Sequence, residues 1–176
     1  MREREIKVLN IDKDEIERKL IKIGAYLIKD EEQTNIRFDT EDNFLKKNHK
    51  GYLRIRITKN LLNGEIKNTL TLKRSINRDK LRVNEETETE ISNWKDTVKI
   101  LEIMGYKQKR PGYKHRKSYS YDNIFFEIDI WDKETYSKPY LEIEMSSEDE
   151  LEKAIKLLDL DRKQITTKSI DELNKD

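Results

Sequence analysis

The sequence predicts a mainly β, α+β protein: a closed eight-stranded antiparallel β-barrel with flanking α-helices. Eight segments alternate apolar and polar residues with the two-residue period of a strand. Three others carry the helical period behind a capping residue. Charged residues make up 41% of the 176 and hydrophobic ones 34%, a balance that leans toward disorder in an ordinary globular chain. The apolar residues nevertheless fall in regular short patterns along almost the whole length. A barrel with a polar interior explains their shortage, and its closure leaves no exposed sheet edge.

The strands are expected at 3–9, 34–40, 52–59, 67–75, 80–91, 113–121, 124–131 and 140–146. Asn63-Gly64 is a hairpin signal between the third and fourth. Asp12 with Glu15 opens a helix carrying Ile16, Leu20, Ile23 and Leu27, which runs to about Gly24 or slightly beyond. Ser92 or Asn93 caps a second helix with Trp94, Val98, Leu101 and Met104, which Gly105 stops. Ser147 and Glu150 precede a third, with Leu151, Ala154, Ile155 and Leu158; a short helix near Ser169–Leu173 is weakly marked.

Five glycines, two prolines, no linker tract and no fixed repeat point to a single domain over 1–176. With 37 basic and 36 acidic residues the net charge is +1, so no global charge steers the chain to nucleic acid or membranes. The absence of cysteine removes disulfides, thiol nucleophiles and Cys-based metal sites. No signal peptide or membrane-length apolar run is visible, and a cytoplasmic location is expected. His49 and His115 are too few for a multi-His metal site, and ordinary structural or surface roles are expected for both. Trp94 and Trp131 read as packing residues.

Residues two apart in a strand share a face, and the charged faces carry the chemistry. Glu3, Glu5 and Lys7 oppose Ile6 and Val8. Arg54 and Arg56 oppose Leu53, Ile55 and Ile57. Thr69, Thr71 and Lys73 oppose Leu70 and Leu72. Arg82 shares its parity with Glu86, Glu88 and Glu90. Lys114 and Arg116 pair up; Glu127 and Asp129 oppose Phe126, Ile128 and Ile130; Glu142 and Glu144 oppose Leu141, Ile143 and Met145. Asn35, Arg37 and Asp39 against Ile36 and Phe38 fit more loosely. Taken strand by strand, a sheet with one wet face shows the same alternation. Here, however, the signs segregate: acids crowd the first, fifth, seventh and eighth strands, bases the third, the end of the fourth and the sixth. Facing inward, clustered carboxylates suit a hard divalent cation and clustered Arg and Lys suit phosphate oxygens.

Glu3-Arg4-Glu5-Ile6-Lys7 is similar to the ExExK signature of the CYTH superfamily, the triphosphate tunnel metalloenzymes. The resemblance continues through Leu53–Arg56, Thr71-Leu72-Lys73, Glu85–Glu90, Lys114/Arg116, Glu127–Trp131 and Tyr140–Glu144, covering roughly 3–158 in order. It implies an eight-stranded tunnel that binds Mg²⁺ or Mn²⁺ and a small-molecule triphosphate, in a monomer or homodimer. By position, Glu3, Glu5, Glu142 and Glu144 would be metal ligands, with Asp129 helping. Lys7, Arg54, Arg56, Lys73, Arg82, Lys114 and Arg116 would grip phosphates. Glu86, Glu88, Glu90 and Glu127 would line the wall or hold a second metal. Three departures stand out: Arg4 at a usually apolar position, Arg37 where many relatives place an aromatic, and a Thr166–Leu173 stretch without the closing segment's aromatic.

The leading expectation is metal-dependent hydrolysis of inorganic, nucleoside or thiamine triphosphate, with Lys73 orienting water, steadying charge or simply contacting phosphate. The alternatives are class IV adenylyl cyclase, making cyclic AMP and pyrophosphate from ATP, and a non-catalytic polyphosphate- or nucleotide-binding module.

Overall fold

A computed structural model describes residues 2–175. Its strands are β1 (Arg2–Val8), β2 (Tyr26–Thr40), β3 (Gly51–Asn60), β4 (Ile66–Arg78), β5 (Arg82–Glu90), β6 (Tyr106–Gln108), β7 (Gly112–Tyr121), β8 (Ile124–Trp131), β9 (Tyr140–Glu144) and β10 (Ile165–Thr166). Eight of them close an antiparallel barrel in the order β1-β5-β4-β3-β2-β7-β8-β9, with β9 pairing back onto β1. The short β6 extends the end of β2, and β10 takes over the β1 edge where β5 stops.

The helices are α1 (Lys13–Lys22), α2 (Phe44–His49), α3 (Trp94–Ile103), α4 (Glu148–Leu158) and α5 (Ile170–Leu173). The Asp12 carboxylate accepts from the Asp14 and Glu15 amides to start α1, and Asn93 rather than Ser92 caps α3. Ser147 caps α4, and Ser169 with Glu172 forms a full capping box on α5. Helix α1 stops earlier than expected. Gly24, at φ +87°, ends it, and Leu27 belongs to β2. Strand β2 also starts at Tyr26 rather than residue 34. Its first half is too polar to alternate, and pairing with β7 defines it instead.

The apolar faces point outward and the helices cover them. Ile6, Val8, Phe126, Ile128, Leu141 and Ile143 pack with Ile16 and Leu20 of α1 and Leu151, Ala154 and Leu158 of α4. Ile36, Phe38 and Ile55 pack with Leu101 of α3, alongside Trp94 and Val98. Both cores therefore lie outside the barrel, which leaves its lumen to the charged faces. No helix among the described residues is long and apolar enough to cross a membrane.

Two glycines are required by local geometry. Gly64, at φ +78°, turns the β3–β4 hairpin. Gly51 opens β3 directly against β4, where an added Cβ would lie 2.4 Å from the Lys73 carbonyl oxygen. Gly51→Ala must push this stretch of β4 aside, and is expected to cost about 1–3 kcal/mol. Thermal melting checks it, at roughly 2–4 °C per kcal/mol for a chain of this size.

Candidate functional site

Because side chains alternate along each strand, most of the charged positions identified in the sequence line one lumen. Its main cavity, about 1090 Å³, opens where β3 and β5 begin and β2 and β4 end. A smaller cavity of about 200 Å³ lies at the opposite strand ends, and Arg56 borders both.

On the acidic side, Glu3, Glu5 and Glu144 bring carboxylate oxygens within 4.8 Å of one another, and so do Glu127, Glu142 and Glu144. Pairing puts them there: Glu5 sits opposite Glu144 across β1–β9, and Glu127 opposite Glu142 across β8–β9. Glu142 accepts from Lys7 at 2.7 Å and Arg116 at 3.1 Å. Burial pushes its carboxyl up, but Lys7 and Arg116 outweigh that and hold it well below the usual range. Glu144 belongs to both groups and forms no ion pair among the described residues. Burial first, then Glu127, Glu142 and Glu3, push it up to about 8. The donor set is all carboxylate oxygen and short of positive charge, which fits a hard divalent cation.

On the basic side, Arg116 is the hub. It donates to both oxygens of Asp129, at 2.6 and 2.7 Å, and pairs with Glu142 and Glu127. Lys114 donates to Asp129 at 3.0 Å, and burial with the adjacent Arg116 lowers its ammonium to about 7. Lys73 reaches Glu86 at 2.6 Å, Glu3 at 3.2 Å and Glu5 at 3.5 Å. Burial pushes the Lys73 ammonium down, but Glu5, Tyr52 and Glu86 outweigh that and hold it well above its ordinary value. Glu86 is held near 2, since Lys73 and Arg54 outweigh its burial. Arg82 stands 3.7 Å from Glu5. Arg56 is the cationic counterpart of Glu144. Its Nε donates to Asn35 at 2.9 Å, and among the described residues no carboxylate pairs with it. Burial and the like charges of Arg54 and Arg116 lower it to about 10.

Four expected residues lie outside the metal-type clusters found among the described residues, and the first, Glu86, pairs with Lys73 and Arg54. Both oxygens of Asp129 are taken by Arg116 and Lys114, so it positions those cations instead. Glu88 accepts from Thr71 and borders the smaller cavity. Glu90 is exposed and pairs with Lys67. Trp131 corrects the expectation of a packing role. It lines the cavity, donates from Nε1 to Tyr140 Oη at 2.9 Å and lies 5.1 Å beneath the Lys114 ammonium. The signal was in the sequence, since Trp131 shares its parity with Glu127 and Asp129. Tyr52 and Tyr140 likewise share theirs with Arg54 and Glu142. His115 faces outward against Asp30 at 2.7 Å, and His49 ends α2 against the Phe44 ring.

At the wide mouth Arg37 donates twice to Asp171, Arg78 pairs with Glu172, and the Asn174 amide donates to the Thr135 carbonyl. The C-terminal segment thus lines the cavity without needing an aromatic. Arg4 is exposed on the outer face of β1, which explains why a charge is tolerated there.

The CYTH domain family matches residues 1–171. The chain belongs to the CYTH family. The PH1819 protein of Pyrococcus horikoshii OT3 is 25% identical, with a TM-score of 0.77 over 98% of this chain and 97% of that one. A candidate adenylate cyclase from Vibrio parahaemolyticus shares the fold at 16% identity and TM-score 0.75, over 99% and 98% of the two chains. So does HpAC1 from Hippeastrum, an adenylyl cyclase candidate with a dominant triphosphatase activity, at 18% identity and TM-score 0.66 over 90% and 88%. Among curated proteins, none matches significantly. The expected barrel is therefore that of the CYTH fold.

Proposed function

We propose that this CYTH protein is a divalent-metal-dependent phosphohydrolase that cleaves the terminal phosphoryl group of a triphosphate held in its lumen. One paired observation carries the reading: among the described residues a half-buried carboxylate with no cation paired to it, Glu144, and a half-buried guanidinium with no carboxylate paired to it, Arg56, share one cavity. Formally the interior is balanced. Glu3, Glu5, Glu86, Glu127, Asp129, Glu142 and Glu144 match Lys7, Arg54, Arg56, Lys73, Arg82, Lys114 and Arg116 in number. A bare polyanion would disturb that balance, whereas a polyanion arriving with a cation preserves it. This favours a metalloenzyme over a simple anion-binding module.

Glu3, Glu5 and Glu144 would hold the Mg²⁺ or Mn²⁺, with Glu142 and Glu127 alongside. When bound, the ion supplies charge neutralisation at phosphoryl oxygens and a water of lowered pKa. Arg54, Arg56 and Arg116 would grip the phosphates, with Lys7 and Lys114 near them. Asp129 fixes the Arg116 fork, so its donors are already oriented when substrate enters. Lys73 stays protonated among its three carboxylates. That suits a cation steadying developing charge and argues against a proton acceptor.

Cyclisation of ATP is the second reading, because Trp131 and Tyr52 offer aromatic surface at the wide mouth where a base would lie. It ranks lower because each ring already carries a cation on one face, Lys114 at 5.1 Å and Arg37 at 5.5 Å. Purified protein incubated with Mg²⁺ or Mn²⁺ and inorganic triphosphate, ATP or thiamine triphosphate separates the readings. Orthophosphate, with inorganic triphosphate as the best substrate, is expected. Cyclic AMP with pyrophosphate would promote the cyclase, and no metal-dependent product from any of the three would overturn both.

A further inference from the structure

The wide mouth carries a second set of cations that a three-phosphate ligand deep in the lumen does not use. Lys46, Lys50 and Lys109 line the same cavity and are exposed, and their ammonium groups have no hydrogen-bond or ion-pair partner among the described residues. The neighbouring Arg37 and Arg78 are already engaged by Asp171 and Glu172. The three lysines are placed by the fold rather than scattered on it. The buried Asp39 carboxylate accepts from the Leu45 and Lys46 amides, at 2.9 and 3.1 Å, and pins α2 against the rim. Lys50 follows α2 where β3 begins, and the Lys109 amide donates to the Arg37 carbonyl.

The opposite end differs. The lining of the smaller cavity holds as many acids (Glu31, Glu65 and Glu88) as bases (Lys29, Arg56 and Lys67). Only one mouth therefore offers uncompensated positive charge. The main cavity, about 1090 Å³, also exceeds the size that holds a whole drug-sized ligand, roughly 300–1,000 Å³.

Building on the phosphohydrolase reading, we infer that Lys46, Lys50 and Lys109 form an outer anion subsite for a linear inorganic polyphosphate longer than three units. The chain end would enter the lumen while the following phosphates cross the basic rim. The unpaired lysines disfavour a cationic extension such as a thiazolium. The two rim aromatics, each with a cation over one face, offer little to a stacked base. In each turnover one water adds to the terminal phosphorus and the outermost phosphoanhydride P–O bond breaks. Orthophosphate leaves, the chain is one unit shorter, and the water's proton passes to the products or solvent.

The test compares Lys46→Gln/Lys50→Gln/Lys109→Gln with the native chain, on tripolyphosphate and on a linear polyphosphate of several tens of units, with Mg²⁺. In the native chain the long polymer is expected to show the lower KM. The variant is expected to raise that KM roughly ten-fold and to leave tripolyphosphate within about two-fold. Binding to immobilised long-chain polyphosphate, read without turnover, should lose about three from its log–log salt slope, one per lysine. An equal effect on both substrates, no preference for the long chain, or tighter capture of a 5′-triphosphorylated oligoribonucleotide would overturn the subsite. Absent turnover with a normal lysine-dependent binding slope would instead fault the hydrolase reading alone.

Discussion

Glu144→Gln is expected to stabilise the metal-free protein at pH 8 while lowering metal-dependent triphosphate turnover about a hundred- to a thousand-fold. The two effects share one cause. Burial and the carboxylates of Glu127, Glu142 and Glu3 push Glu144 up to about 8, whereas an unperturbed Glu titrates near 4.5. Between those values the folded chain holds a proton at this position that the unfolded chain has lost. Stability at this site is therefore fully present below about pH 4.5 and drains away as pH rises toward 8. Glutamine keeps the shape and removes the charge, so the pH-dependent loss should vanish, a gain of a few kcal/mol at pH 8 and little at pH 5. A divalent cation should restore stability to the native chain at pH 8 and do much less for the variant. Thermal melts at pH 5 and 8, with and without Mn²⁺, read all four combinations. A variant less stable than native at pH 8 without metal would mean that Glu144 has a cationic partner in the folded chain.

Arg116→Met is expected to be the most destabilising single change in the lumen. Arg116 is buried and serves Asp129, Glu142 and Glu127 together. Its removal strands Asp129 with Lys114 alone and leaves Glu127 beside Glu142 and Glu144. Breaking a buried ion pair from one side costs about 3–5 kcal/mol, which at this chain length lowers Tm by roughly 6–20 °C. Lowering the pH should recover part of the loss, because protonating the stranded carboxylates removes the uncompensated charge. The double variant Arg116→Met/Asp129→Asn is expected to be more stable than Arg116→Met, since the buried charge leaves with its partner. Chemical denaturation of the native, single and double variants measures the difference. A single variant within about 1 kcal/mol of native would remove Arg116 from the centre of the network.

Much of this was legible from parity. Once Glu3, Glu5 and Lys7 share a face and Ile6 and Val8 take the other, the side on which the helices pack decides which set is enclosed. The capping signals of α1, α3 and α4 supplied that cover, so the direction of the charged faces followed. Parity also held for Trp131, which reads from sequence as a packing residue, and for Tyr52 and Tyr140, all three of which the strand register places in the lumen. The first half of β2 was not legible, because Lys29, Asp30, Glu31, Glu32 and Gln33 have no apolar alternation. Helix α2 was hidden in a Lys- and Asn-rich run, since Asp39, which holds it, lies on the preceding strand. Separation within a face was equally invisible. Glu86, Glu88 and Glu90 share parity, but barrel length spreads them from the main cavity to the exposed far end.

The central claim is that the lumen holds a divalent cation on Glu144 and its neighbours. Titrating metal-free protein with Mn²⁺ at pH 7 by electron paramagnetic resonance, alone and with tripolyphosphate, tests it most directly. Depletion of the free Mn²⁺ signal is expected in the native chain, with stronger binding when tripolyphosphate is present and a loss of both in Glu144→Gln. Mn²⁺ bound equally well by native and Glu144→Gln protein, or by neither with tripolyphosphate present, would contradict it.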